Sequence, residues 1–400
     1  VIIESDIVDA IKADQLTFFY QPKISLISGK IIGAEALIRW IKPDGTIIMP
    51  DSFIPVAERS SLIKDITQHM FPKLMNHLLL LSDVNKLTYS FNATARDFED
   101  DTFSKMMLNS LETSLLPSKH LQIELTETAL LDAGHNIIKN IHALSDAGVG
   151  LAMDDFSRGY SSIDTLSKWP FDTIKLDHGI ISRMLDSEKN STIIESTIRM
   201  AHELGISVVA EGVETNDQYH HLLASGCTKV QGFWISKPLP LSEFMTFVEQ
   251  DIRWSGLPIG LIHMAIIDHI QWRKQLVSEL TRVCSLATDA PQRKLLNTPP
   301  LSCKDCRLGR WYYKDGQTFA HRQSFKELEK PHQAFHEVGV RLTQLVADGA
   351  KMDALMPELH LLSEYSMEIM GKLQTLENEG LQDMHAAHQA WNTHSFNQNF

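Results

Sequence analysis

Cysteine is scarce in this 400-residue chain, which holds Cys227, Cys284, Cys303 and Cys306 and no others. Four thiols do not make a disulfide scaffold, and their number suits a reducing cytoplasm. Long apolar runs are missing as well. No stretch approaches the roughly 20 residues that cross a bilayer, and no basic-then-apolar leader opens the chain at Val1. Positive charge is in deficit: the formal net charge is −13 at pH 7, which argues against loose binding to nucleic acid polymers. The deficit still allows a small anionic nucleotide held by metal ions and a few local cations. No internal repeat is evident.

What is present is a soluble globular composition, 43% apolar and 22% charged, over a length that accommodates two domains. Residues 1–250 alternate short strand-like runs with helical spacing. The strand candidates are Phe18–Leu26, Lys30–Trp40, Thr88–Thr94, Leu121–Glu127, Gly148–Phe156, Thr173–Asp177, Ser207–Val213 and Lys229–Ile235. Eight strands with intervening helices fit an α/β fold, a TIM-like βα barrel. Only Ile27–Gly29 separates the first two strands, too short for a parallel crossover. That pair is expected to be an antiparallel hairpin and the barrel irregular. After a linker at 251–257 the pattern turns to helices alone: Leu257–Leu286, His332–Ala350 and Met352–Asn378, with a Pro-containing connector at Asp289–Cys303. This predicts an all-α helix bundle over 258–380 and a frayed tail over 381–400.

The acids of the first region fall in unusual places. Glu35 interrupts an apolar strand, and Glu124 and Glu127 lie in Ile123-Glu124-Leu125-Thr126-Glu127. Asp154 and Asp155 close Leu151-Ala152-Met153, Asp177 follows Ile174-Lys175-Leu176, and Glu211 and Glu214 follow Val208-Val209-Ala210. A single acid at a strand end is usually a helix cap or a surface charge, and Glu127 and Glu214 are each compatible with a cap. Acids on five strand candidates are another matter. In a βα barrel the carboxyl ends of the strands meet at one mouth, where unpaired carboxylates repel. Hard divalent ions, Mg²⁺ or Mn²⁺, are the natural partners of such a cluster.

Glu35-Ala36-Leu37-Ile38-Arg39 resembles the signature of the EAL-domain phosphodiesterases, which hydrolyse cyclic di-GMP to linear pGpG. The likeness continues in the family's order through Gln21-Pro22, Phe91-Asn92-Ala93-Thr94, Glu124-Leu125-Thr126-Glu127, Asp154-Asp155-Phe156, Ile174-Lys175-Leu176-Asp177, Glu211-Gly212-Val213-Glu214 and Gln231-Gly232-Phe233. The resemblance implies two Mg²⁺ or Mn²⁺ ions per barrel. Glu35, Asn92, Glu124 and Asp154 would hold one, and Asp154 would bridge to a second completed by Asp155 and Glu211. Catalysis would then rest on Lys175, Glu211, Glu35, Asp154 and Asp155, with Lys175 orienting the attacking water. Gln21, Arg39, Asp177, Gln231 and Pro238 would bind cyclic di-GMP, and Glu127 would anchor the loop after Asp155. In that loop Ser157 stands where the family usually has glycine, which costs roughly 1 kcal/mol if the position needs a positive φ. Every implied ligand remains, so an active enzyme is expected.

The C-terminal region offers His332 and His336, which share one face of a helix at a spacing of four. With a histidine from the first helix and a connector cysteine they could close a tetrahedral zinc site. Isolated, such a pair is more often two surface histidines, and Cys303-x₂-Cys306 offers a Cys₂His₂ site as the lesser alternative. Asp268-His269, Cys306-Arg307-Leu308-Gly309-Arg310-Trp311 and Pro331-His332 through Gly339 together resemble the chemoreceptor zinc-binding (CZB) domains. That resemblance implies one Zn²⁺ on His269, Cys306, His332 and His336, with Asp268 orienting a ligand and Cys303 left free. The expectation is a cytoplasmic, dimeric cyclic di-GMP phosphodiesterase tuned by zinc. The alternative is a catalytically weak cyclic di-GMP receptor with structural zinc.

Overall fold

The computed structural model of the chain describes residues 2–82, 87–114, 116–126, 130, 133–156, 162–254, 256, 259–287, 290 and 296–395, without the side chains of 82, 162–164 and 384–395. The chain divides into two compact units, Val1–Leu222 with Cys227–Trp254, and Leu223–Gly226 with Ser255–Phe400. None of its described helices is long and apolar enough to cross a membrane.

The first unit is a closed eight-stranded barrel with helices. Its strands are β1 (Leu16–Ser25), β2 (Ile31–Ile41), β3 (Thr88–Asn92), β4 (Leu121–Thr126), β5 (Gly150–Phe156), β6 (Thr173–Leu176), β7 (Ser207–Ala210) and β8 (Lys229–Val230). All eight correspond to the strands expected from the sequence. β2 to β8 run parallel in succession, while β1 closes the ring by pairing antiparallel with both β2 and β8. The expected β1–β2 hairpin is therefore present, turning through Gly29 at φ 65°. Two short strands, Ile47–Ile48 and Leu239–Pro240, pair with β2 and β1.

Side chains alternate between the two faces of each strand. On β4, Ile123 and Leu125 are buried on one face, and Gln122 and Glu124 lie on the other. On β6, Ile174 and Leu176 alternate in the same way with Thr173 and Lys175. The inner layers of such barrels are ordinarily filled by branched apolar residues. Here they are polar: Gln122 Nε2 donates to Thr173 Oγ1 at 2.9 Å and to Asp172 Oδ1 at 3.0 Å. Register does the rest. Gln21 stands opposite Glu35 and Lys23 opposite Gly33, and Asn92 lies beside Glu124. Gly33 is required by close approach, because a Cβ there would meet the Thr88 carbonyl oxygen at 2.1 Å.

The second unit is helical, as expected: α1 (Ile259–Cys284), α2 (Arg307–Tyr312), α3 (Glu329–Ala347) and α4 (Met352–Ser395), with a 3-10 turn at Asp315–Phe319 and a single helical turn at Gln323–Lys326 between α2 and α3. Trp272, Leu276, Leu280 and Val283 make a buried stripe on α1, and Phe335, Val338, Leu342 and Val346 one on α3. Leu355, Leu362, Ile369, Leu373 and Leu376 are buried on α4. These stripes at helical spacing form the core of the bundle. Pro331 falls in the first turn of α3, where its missing N–H is tolerated.

Candidate active site and metal centre

Four carboxylates, three on β2, β4 and β5 and one just past the end of β7, converge on one buried lysine. Lys175 Nζ lies 2.7 Å from Glu211 Oε1, 3.3 Å from Asp154 Oδ1 and 3.4 Å from Glu35 Oε2, and it also pairs with Glu124 Oε2. Lys175 is 1% exposed and Glu124 wholly buried. Burial alone would lower the lysine pKa, but the carboxylates, Glu124 foremost, hold it well above the usual value. Burial raises Glu35, with Glu124 adding to the effect, and pushes Glu211 up to about 8. Glu124 goes the other way: Lys175 and Lys23 overcome its burial and hold it below the usual carboxylate range.

Hydrogen bonds join the remaining polar groups. Asn92 Nδ2 donates to Glu35 Oε1 at 2.8 Å, and Gln231 Nε2 donates to Glu35 Oε2 at 2.7 Å and to Gln21 Oε1 at 2.9 Å. Gln231 Oε1 is buried with no hydrogen-bond partner among the described residues, an acceptor suited to a water or ligand donor. At the end of β5 the β5–β6 register shifts, and Asp155 takes φ 55° while its N–H donates to Asp154 Oδ1 at 2.9 Å. A non-glycine residue held in the left-handed region is a recurrent mark of functional sites. The donor set, four carboxylates with the Asn92 amide and a strained Asp155, fits hard divalent ions.

The other sequence-predicted residues lie as follows. Arg39 is buried on the same face of β2 as Glu35; it donates to the Ile38 carbonyl at 2.7 Å and its guanidinium lies 5.7 Å from the Phe19 ring centre. Burial lowers its pKa. Asp177 caps the helix His178–Ile181, Oδ1 accepting from the Gly179 N–H at 2.9 Å. Pro238 is half-buried beside the short strand that pairs with β1. Glu127 and Ser157 lie outside the described residues. Glu214 is exposed, and among the described residues its carboxylate makes no bond to the helix that follows. Thr215 Oγ1 accepts from Gln218 N–H, and Gln218 Oε1 accepts from the Glu214 and Thr215 N–H groups, a Thr-x-x-Gln capping box. Beside Asn92 a cavity of about 530 Å³ opens between β2, β3 and two helices, lined by Ile54, Ile63, Ile66, Met70 and Phe91.

Sequence reading missed Lys23. It is 5% exposed, and its ammonium donates to Glu124 Oε1 at 2.8 Å and Ser90 Oγ at 2.5 Å. The available signal was its alternation with Gln21, which puts both on the inner face of β1.

In the helical unit, Cys306, His332 and His336 are buried with ligand atoms all within 4.8 Å of one another. Cys306 caps α2, its sulfur accepting from the Gly309 N–H at 3.1 Å and lying 3.3 Å from His332 Nε2. Glycine at 309 is a steric requirement, since a Cβ would meet the Cys303 carbonyl oxygen at 1.8 Å. His336 Nδ1 lies 2.9 Å from the Leu301 carbonyl. Donation there leaves Nε2 as a free lone pair for a metal. Burial lowers His332 to about 3 and His336 to about 4 and raises the Cys306 thiol to about 11. The imidazoles are thus neutral and ready to ligate, while the thiol gives up its proton to a metal.

His269, the fourth implied ligand, is not in that cluster among the described residues, although it is close enough to His332 and His336 for their charges to interact. Its ring packs 4.6 Å from Phe335, and Nε2 lies 2.9 Å from Ser366 Oγ on α4. Asp268 Oδ1 is 3.4 Å from an Arg307 nitrogen. Cys303 is not part of the cluster among the described residues. One thiol and two imidazoles, with a third histidine on α1, fit zinc.

Comparison with known proteins finds a family match in each of the two units. Residues 4–238 match the EAL domain and residues 269–343 the chemoreceptor zinc-binding domain. The cyclic di-GMP phosphodiesterase RocR of Pseudomonas aeruginosa is 32% identical over 244 residues, 61% of this chain and 62% of the relative. The signaling protein YkoW of Bacillus subtilis is 33% identical over 241 residues, 60% of this chain and 30% of the relative. The chain thus spans less than two thirds of the length of either. A solved cyclic di-GMP complex of the phosphodiesterase PaMucR superposes with a TM-score of 0.56 at 32% identity, covering 60% of this chain and 98% of that one.

Proposed function

The chain belongs to the EAL family through residues 4–238, and on that premise we propose that it hydrolyses cyclic di-GMP to linear 5′-pGpG with two divalent ions, Mg²⁺ or Mn²⁺, in the barrel mouth. The observation that carries this reading is the convergence of Glu35, Glu124, Asp154 and Glu211 on Lys175. Glu35, Asn92, Glu124 and Asp154 would hold one ion, and Asp154, Asp155 and Glu211 the other. When bound, such ions supply Lewis acidity and make water a nucleophile near neutral pH.

The chain's own residues do the positioning. Lys175 carries a fixed positive charge in a water-poor mouth, where it offsets charge gathering on the phosphate and holds the attacking water. Gln231, anchored to Gln21 and Glu35, presents a free Oε1 to a donor on that water or on the nucleotide. Arg39 serves the phosphate, and Asp177 and Pro238 complete the nucleotide contacts. The apolar recess beside Asn92 suits a purine base. Glu127 anchors the loop after Asp155 in the same reading.

In the helical unit the proposal places one zinc on Cys306, His332, His336 and His269, and makes turnover in the barrel responsive to it. The protein is proposed to work as a cytoplasmic homodimer, and a light-scattering mass of one chain counts against the pairing. Purified protein is expected to lose turnover of cyclic di-GMP in EDTA and to recover it with Mg²⁺ or Mn²⁺. Removal of zinc alone by a selective chelator is expected to change the rate. An unchanged rate reduces zinc to a structural role, and turnover that survives EDTA contradicts the metal mechanism.

A further inference from the structure

We propose that Lys23 is a positioning residue that restricts Glu124 to one free carboxylate oxygen and so sets the ion selectivity of the barrel mouth. The inference rests on the metal-dependent reading of that site. Lys23 projects from β1, and Glu124 lies three strands away on β4. Its ammonium can reach because the intervening strands leave room: Gly33, opposite Lys23 on β2, has no side chain, and Ser90 on β3 offers only a hydroxyl, which the ammonium also engages. Glu124 is the one carboxylate paired with Lys23 among the described residues.

The two lysines on Glu124 are not equivalent. Lys175 takes Oε2 but is shared among four carboxylates, so it keeps partners when one oxygen is claimed by an ion. Lys23 has no second carboxylate partner among the described residues, only the Ser90 hydroxyl, and a buried ammonium deprived of its carboxylate is costly. Oε1 therefore stays with Lys23, leaving Glu124 as a one-oxygen ligand. Mg²⁺ demands near-ideal octahedral geometry and accepts single oxygens, whereas Ca²⁺ takes more ligands and favours two-oxygen carboxylates. A capped Glu124 disfavours the larger ion.

Equilibrium binding of Mg²⁺ and Ca²⁺, measured by calorimetry on the full chain without nucleotide, tests the idea. Lys23→Met keeps the stem and removes the charge. It is expected to raise the affinity for Ca²⁺ relative to Mg²⁺ by about tenfold or more, while Lys23→Arg keeps the wild-type ratio. Should Lys23→Met fail to fold, Ser90→Ala, which removes the hydroxyl anchor of Lys23, is expected to move the ratio in the same direction by a smaller factor. An unchanged ratio in the folded variant, with divalent binding intact in the wild type, overturns the role of Lys23 alone. A wild type that binds no divalent ion in the barrel overturns both this role and the reading beneath it.

Discussion

Lys175→Met is expected to reduce cyclic di-GMP turnover by roughly a hundred- to a thousandfold, on the scale set by loss of one preorganised donor to developing charge. The same substitution acts on stability. Glu35, Glu124, Asp154 and Glu211 all face Lys175, and removing the shared partner of buried charges costs about 3–5 kcal/mol. The metal-free variant should therefore unfold at lower denaturant concentration than the metal-free wild type. Added Mg²⁺ or Mn²⁺ should restore part of that stability by re-supplying positive charge, yet leave turnover low. Denaturant midpoints with and without metal, read beside rates, separate the two effects. A variant that is destabilised yet stays active shows that the lysine is only a counter-ion.

The second large effect belongs to the helical unit. Cys306→Ala is expected to bring bound zinc from one per chain to nearly none and to lower the unfolding temperature of the bundle. The residue does two things at once, capping α2 through the Gly309 N–H and facing His332 at 3.3 Å. Binding of structural zinc is worth about 10 kcal/mol or more in small zinc modules, so loss of a ligand outweighs loss of the cap, roughly 1 kcal/mol. Cys303→Ala is the control: Cys303 is outside the cluster and its loss should leave zinc content unchanged. Metal analysis of the two variants checks both statements. Loss of zinc from Cys303→Ala would favour the Cys₂His₂ arrangement instead.

Much of this was legible in the residues because it depends on short-range pattern. The β1–β2 hairpin follows from a connection too short to cross over, and the strands from apolar runs between helical stretches. Acids at strand ends converge by the topology of a barrel, so Glu35, Glu124, Asp154 and Glu211 could be gathered before any coordinates. Long-range partners were less visible. Lys23 meets Glu124 only because Gly33 and Ser90 leave the barrel interior open between them. His269 meets Ser366, 97 residues away, and no spacing rule reaches that far. Glu214 stands next to a helix start and invites the reading of a cap, but the cap is Thr215, whose hydroxyl accepts from the Gln218 N–H while Gln218 Oε1 accepts from the Glu214 and Thr215 N–H groups. The left-handed backbone of Asp155 is likewise a property of the strand end, visible only once the β5–β6 register shift is known.

The most direct test of the central claim is the identity of what leaves the barrel. Purified protein is incubated with cyclic di-GMP and Mg²⁺ or Mn²⁺, and the nucleotide is then identified by mass spectrometry. The account predicts linear 5′-pGpG, formed by the wild type and formed roughly a hundred- to a thousandfold more slowly by Lys175→Met. Recovery of intact cyclic di-GMP from a metal-loaded protein that binds it tightly would contradict hydrolysis and make this barrel a receptor.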